Sequence, residues 1–452
     1  MGPRRNPAPP PPLRPAVTRS EAPVPAVGPL RLRLPRCLLD PGLVGVPVQR
    51  GQGRDGLLAL DLEHRGGRIT ALRPLPATDQ PLPLGLPPLV EPHAHLDKCF
   101  TLGRWPNPSG TIPEALAQNH REGRERSRDQ VLARAERALE QAWRQGLRAI
   151  RSHIDSGGPG ARPSWEALLA LRERWAGRVE LQLVALVPLA HWSTPEGEAL
   201  ARWVADRGGL LGGVLGPPDV SSRRDREALR ALLALAQRLG VAVDLHIDEA
   251  DVAPARGVRL LLAELERQPH AVPITCSHAA SLGLLSEQRL APLAERLAAA
   301  AVSVVALPLT NLWLLGRRPE RTPLLRVQAP LRSLQRAGVR VAVGADNVQD
   351  PWYPGGDFDP LEVLRLAPLT SHLDPALREG LAPFTTEPAR MLGLAWDGVV
   401  RVGAPADLLL LAADSWGELL ARSPQRRVLR AGHWLPPPPA QLPSPLLAAS
   451  MG

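Results

Sequence analysis

Between Pro88 and Ala345 the chain repeats one pattern: a short apolar run, then an amphipathic helical stretch, then another run. About eight runs can be counted, at Pro88–His95, Ala149–His153, Val179–Leu186, Leu210–Leu215, Val241–His246, Val272–His278, Val302–Leu307 and Val339–Ala345. Short continuous apolar runs separated by helices read as buried parallel strands, which restricts the chain to an α/β architecture. Eight such strands is the arithmetic of a (β/α)8 TIM-type barrel. An open doubly wound sheet is the runner-up, lowered because no GxGxxG follows an early strand. The clearest unit runs from Ser222 to His246. Ser222 with Asp225 gives a capping-box-like start, Leu229, Leu232, Leu233, Ala236 and Leu239 recur at helical spacing, and Gly240 stops the helix before the next strand. The longest helical stretch, Pro113–Gln145, is expected to break near Gly123.

Outside this body the texture changes. Leu30–Leu39, Gly56–Leu62 and Gly67–Leu72 on one side, and Val399–Val402, Asp407–Leu411 and Arg427–Ala431 on the other, are short apolar stretches broken by Pro and Gly. The expected division is a disordered Pro-rich tail (1–28), a small β-sandwich built from 29–87 and 398–437, a barrel over 88–397, and a flexible tail (438–452). The formal charge of +9 is not a nucleic-acid signal, because seven Arg against one Glu place six of those charges in the first thirty-six residues. No apolar run reaches the ~18–20 residues that span a bilayer, and the first residues lack the apolar centre of a signal peptide. Three well-separated cysteines (Cys37, Cys99, Cys276) suit neither a disulfide framework nor a zinc finger. A cytoplasmic protein without nucleic-acid or membrane partners is expected.

Histidines mark the ends of the strands. His93 and His95, His153, His246 and His278 close four of them, and Asp346 follows the eighth. In a barrel every C-terminal strand end opens on one face, so these groups converge in space. His93 and His95, two residues apart, lie on the same side of a strand with a reach suited to one metal ion. Glu249, three residues past His246, is either an exposed loop acid or a general acid/base at the barrel mouth. Asp346 is either a turn-forming Asp or a ligand.

The segments Glu91–Lys98, His246–Glu249, Ser277–His278, Gly344–Pro354 and Thr385–Leu394 resemble the amidohydrolase superfamily, specifically its cytosine deaminase-like branch, over about Pro29 to Leu435. The resemblance implies a barrel with a small β-sandwich made from both chain ends. It implies that His93, His95, His246 and Asp346 hold one divalent metal, zinc or iron. Glu249 would shuttle protons and His278 would orient the metal-bound hydroxide, with Asp346 beside them. Attack falls on a ring carbon bearing an exocyclic amino group, and ammonia leaves. The substrate would be a small heterocycle and the assembly a homo-oligomer.

The sequence contains one Lys, Lys98, among its 54 basic residues. Binuclear members of the superfamily bridge two metals with a carboxylated Lys after the fourth strand, and Leu210–Asp219 has none. A mononuclear site is therefore favoured. Lys98 either points its charge at the site or forms an outward salt bridge. Two departures bear on the substrate. Where cytosine deaminases carry a ring-binding Gln after the third strand, this chain has Pro188-Leu189. Asp346 is followed by Asn347 and preceded by Ala345, where the family pattern has Asp and His. An unpaired ring edge costs roughly 1–3 kcal/mol per group, so cytosine fits poorly. His153, Asp155, Leu189, Asn311, Asn347, Trp352 and Lys98 are the candidate substrate contacts. The expected activity is deamination of an amino-substituted N-heterocycle. The alternatives are removal of an N-alkylamine, or amide hydrolysis, on a ring, or a barrel that binds without catalysis.

Overall fold

The structure is a computed structural model that describes residues 29–44, 55–76, 80–216, 223–318 and 320–436. The expected tails, 1–28 and 438–452, lie outside the described residues. Eight strands form one parallel sheet: β1 (Leu89–Ala94), β2 (Leu147–Asp155), β3 (Glu180–Pro188), β4 (Leu210–Leu215), β5 (Val243–Ile247), β6 (Ile274–His278), β7 (Ser303–Ala306) and β8 (Val341–Val343). Each pairs with the next in sequence, as βα repetition with right-handed crossovers requires. A bridge between Ala94 and Asp346 joins last to first and closes the barrel. At that seam the Glu91 side chain accepts from the His93 N–H at 3.1 Å and the Ala345 N–H at 3.0 Å, standing in for ladder bonds. This takes Ala345 out of the ladder at the end of β8, and at its start the Val339 N–H is taken by the Leu334 carbonyl of the preceding helix, so β8 is shorter than its apolar run.

The helices follow from their patterns with one correction. In Arg223–Leu239 the buried positions are Ala228, Leu229, Leu232, Leu233, Leu235 and Ala236, and Gly240 ends it at φ +66°. The expected cap, Ser222, lies outside the described residues. The long helical stretch does not break at Gly123, which stays inside the first of two helices, Ile112–Glu125 and Arg128–Gln145. The break falls at Arg126–Ser127. Ser127 Oγ accepts from the Gln130 N–H while Gln130 Oε1 accepts from the Ser127 N–H, a capping box that starts the second helix there.

Both flanking segments build one mixed sheet. Its seven strands lie in the order His433–Trp434, Arg426–Arg430, Leu408–Leu411, Leu84–Leu86, Leu30–Pro35, Leu57–Arg65, Arg68–Pro74. Leu32, Leu34, Leu60, Leu62, Ile69, Leu408 and Leu429 share its apolar cluster. The expected strand Val399–Val402 reduces to one bridge from Val400 to Leu39, because Gly398 and Gly403, at φ +87° and +85°, turn the chain on both sides. No helix among the described residues is long and apolar enough to cross a membrane.

Candidate metal centre and active site

His93 and His95 come from the end of β1, His246 from β5, His278 from the last residue of β6, and Asp346 from just beyond β8. All five are buried. Asp346 Oδ1 lies 3.5 Å from His93 Nε2 and 3.3 Å from His95 Nε2, and His95 Nε2 lies 3.3 Å from His246 Nε2. These spacings match the edge of a tetrahedron with bonds of about 2.0–2.1 Å to nitrogen. Two of the five side chains reach the centre through left-handed backbone, His278 at φ +69° and Asp346 at φ +68°. Such strain costs about 1–3 kcal/mol per residue and collects at functional sites.

The donor set fits a divalent cation. His93 Nε2 and both Asp346 oxygens are buried without a hydrogen-bond partner, whereas buried polar atoms normally have one, and the Nε2 atoms of His95 and His246 face each other at 3.3 Å. Burial, reinforced by the neighbouring imidazoles, holds the His93 and His246 pKa values well below the ordinary histidine value. Metal ligation needs that neutral form. A nitrogen and carboxylate set suits zinc or iron.

His278 stands apart from the other three. The Asn311 side-chain amide donates to its Nδ1 at 3.0 Å, which leaves the ring proton on Nε2 and makes His278 a donor toward the centre. Burial pushes its pKa down to about 4. Glu249 Oε1 approaches His278 Nδ1 at 3.5 Å. Burial first, then the charge of Asp346, raises the Glu249 pKa well above the usual carboxylate value, while Lys98 pulls the other way. Its neighbour Asp248 accepts from the Gly257 and Val258 N–H groups at 2.8 and 2.9 Å and holds the start of the helix Arg256–Arg267.

The other candidates divide. Lys98 is buried, with Nζ 3.0 Å from Asp155 Oδ1 and 5.8 Å from the Trp352 ring centroid, so it does not form an outward salt bridge. Burial disfavours its charge, but Asp155, Asp97 and Asp350 more than offset this and raise its pKa. Asp155 also accepts from Asn119 at 3.0 Å, and Trp352 Nε1 is buried without a partner. His153 stacks on His93 with ring centroids 3.8 Å apart. Asn347 donates to Asp350 Oδ2 at 2.7 Å, and Asp350 Oδ1 takes the Trp352 N–H at 2.8 Å, so Asn347 braces that turn. Leu189 is buried at the start of the short helix Leu189–Ser193 and packs on Gly213 of β4. The adjacent Trp192 donates to the Gly212 carbonyl at 2.9 Å and belongs to the barrel wall. From sequence alone Asp244, Ser277, Arg151, Asn119 and Glu91 had no assigned role, although Glu91 and Ser277 stand in the family-like segments. The available signal was a charged residue inside an otherwise apolar buried strand, as at Arg151 and Asp244.

Four likenesses bear on this geometry. A family model described as "Amidohydrolase family" matches residues 114–432. A pterin deaminase of Rhizobium rhizogenes is 36% identical over 396 residues, spanning 84% of this chain and 89% of its own length. Among solved structures, 5-methylcytosine deaminase from Klebsiella pneumoniae bound to 5-fluorocytosine superposes with a TM-score of 0.75 at 27% identity, covering 86% of this chain and 97% of its own. N-isopropylammelide isopropylaminohydrolase from Burkholderia multivorans gives a TM-score of 0.64 at 29% identity, covering 83% and 94%.

Proposed function

The chain belongs to the amidohydrolase family, and from that premise we propose that it deaminates an amino-substituted N-heterocycle, with a pterin-type ring as the first candidate. It is a hydrolase of C–N bonds other than peptide bonds. The observation that carries the reading is the convergence of buried donor atoms from three strand ends and the β8 loop beside a carboxyl group whose pKa burial raises.

His93, His95, His246 and Asp346 would hold one zinc or iron ion. Such an ion supplies Lewis acidity and lowers the pKa of a coordinated water toward ~7. The net reaction adds water across the ring carbon–amine bond: the carbon gains a C=O oxygen and the amino group leaves as ammonia. Glu249 donates its proton to the ring nitrogen beside that carbon, takes one from the attacking water and passes it to the departing amine, and recovers the last proton from the new hydroxyl as the C=O forms and ammonia leaves. His278, its Nδ1 occupied by Asn311, presents Nε2–H to the incoming oxygen. Lys98 and Asp155, with the Trp352 ring beside them, supply charge and a flat apolar face to the heterocycle. His153, Asn311 and Asn347 act through the residues they touch. Leu189, lacking a polar edge, disfavours cytosine.

Ammonia release measured across pterins, pyrimidines and triazines, with elemental analysis of the same protein, tests the proposal. About one metal per chain with ammonia from a pterin supports it. Alkylamine release without ammonia, or a metal-replete protein inert to the whole panel, overturns it.

A further inference from the structure

Behind His93 runs a chain of buried polar groups. Ser277 Oγ donates to Asp244 Oδ1 at 2.7 Å, and the same oxygen lies 2.9 Å from His93 Nδ1. A hydroxyl has one proton to give. With that proton committed to Asp244, Ser277 Oγ can only accept from His93, so the ring proton sits on Nδ1 and Nε2 keeps its lone pair. Arg151 removes the alternative arrangement. Its Nη1 donates to Asp244 Oδ2 at 2.8 Å, and a guanidinium does not deprotonate in proteins, so both Asp244 oxygens are acceptors. Arg151 is itself fixed, by Gln182 Oε1 at 3.1 and 3.2 Å and by the Met391 carbonyl at 3.1 Å.

We infer that Asp244 and Ser277, backed by Arg151, are positioning residues that lock His93 in its Nδ1–H tautomer and keep Nε2 available as a metal donor. The inference rests on His93 being a ligand. Ligating histidines commonly give their second N–H to an acceptor; here the direction of every proton follows from the groups beyond it. Asp244→Asn has one acceptor oxygen instead of two. Arg151 claims that oxygen, the new amide N–H faces Ser277, and the hydroxyl proton turns toward His93 Nδ1. The ring proton then moves to Nε2, where a metal must bind.

The test is nitrogen-15 NMR of histidine-labelled protein, with His93 assigned through His93→Gln, alongside zinc affinity by competition with a chromophoric chelator. The metal-free wild-type protein is expected to carry the His93 proton on Nδ1, and the Asp244→Asn protein to carry it on Nε2. Zinc dissociation constants should rise 10–100-fold in Asp244→Asn and Ser277→Ala. If Asp244→Asn fails to fold, the wild-type spectrum and Ser277→Ala decide. A wild-type proton on Nε2, or zinc affinity unchanged in folded variants, overturns the lock. Nδ1–H in a wild-type protein that takes no zinc would support the lock and strike instead at the ligand assignment.

Discussion

Asp248 and Glu249 follow one another after β5, and their surroundings give them unrelated work. Asp248 is spent on two backbone N–H groups, so Asp248→Ala should cost about 1–3 kcal/mol of stability by leaving them buried and unsatisfied, measurable by urea unfolding. The Glu249 carboxyl instead approaches His278, Oε1 lying 3.5 Å from its Nδ1. Glu249→Gln should lower kcat by about 10²–10⁴-fold while metal content stays at the wild-type level, read by ammonia release and elemental analysis. At this scale the convergent histidines were legible, because HxH spacing and strand-end position are both properties of the sequence. The direction of Lys98 was not, since it depends on Asp155 from another strand. Nor was the pairing of Ser277 with Asp244, which meets only through the register that sets Ser277 opposite His246 and Thr275 opposite Asp244.

Among the elements, the boundary between the two helices after β1 shows how a local signal and a long-range one coincide. Ser127 and Gln130 define the second helix start, and the preceding Arg126 turns inward to Asp97 at 2.8 Å and Glu122 at 2.7 Å. A Gly is the weaker helix breaker there because a Gly inside a helix costs only ~1 kcal/mol. Arg126→Met should destabilise the fold by about 3–5 kcal/mol, since it strands the buried Asp97 carboxylate and leaves Glu122 with Arg134 alone, and the same substitution should weaken the brace on Asp155. Chemical denaturation monitored by circular dichroism checks the first part. The eight strands were readable because their apolar runs are buried on both faces. The seam between β1 and β8 was not, because a glutamate side chain does there what backbone does elsewhere.

For the whole molecule, buried charge sets the response to acid. Burial tends to raise the pKa of Asp155, yet Lys98 and Arg126 hold it well below the ordinary value, and Asp244 is likewise lowered. Below about pH 4 the unfolded chain takes up protons at these two carboxylates that the folded chain refuses. The stability they contribute is complete above that pH and lost as pH falls further. Thermal unfolding of the metal-free protein should show Tm falling already below about pH 6.5, where the unfolded chain protonates the histidines that the folded chain keeps neutral, and falling further from pH 4 to 3; Asp155→Asn should flatten only the second drop. Zinc at a hundred times its Kd should add about 2.7 kcal/mol to the unfolding free energy, reversed by a chelator. The closing bridge of the barrel carries one more consequence. His93 and Asp346 meet only where the first strand finds the last, and the Met391 carbonyl that steadies Arg151 comes later still. During synthesis His93, His95, His246 and His278 leave the ribosome before their carboxylate partner Asp346. A growing chain therefore has no complete cage in which to trap a metal, and loading becomes a property of the finished ring.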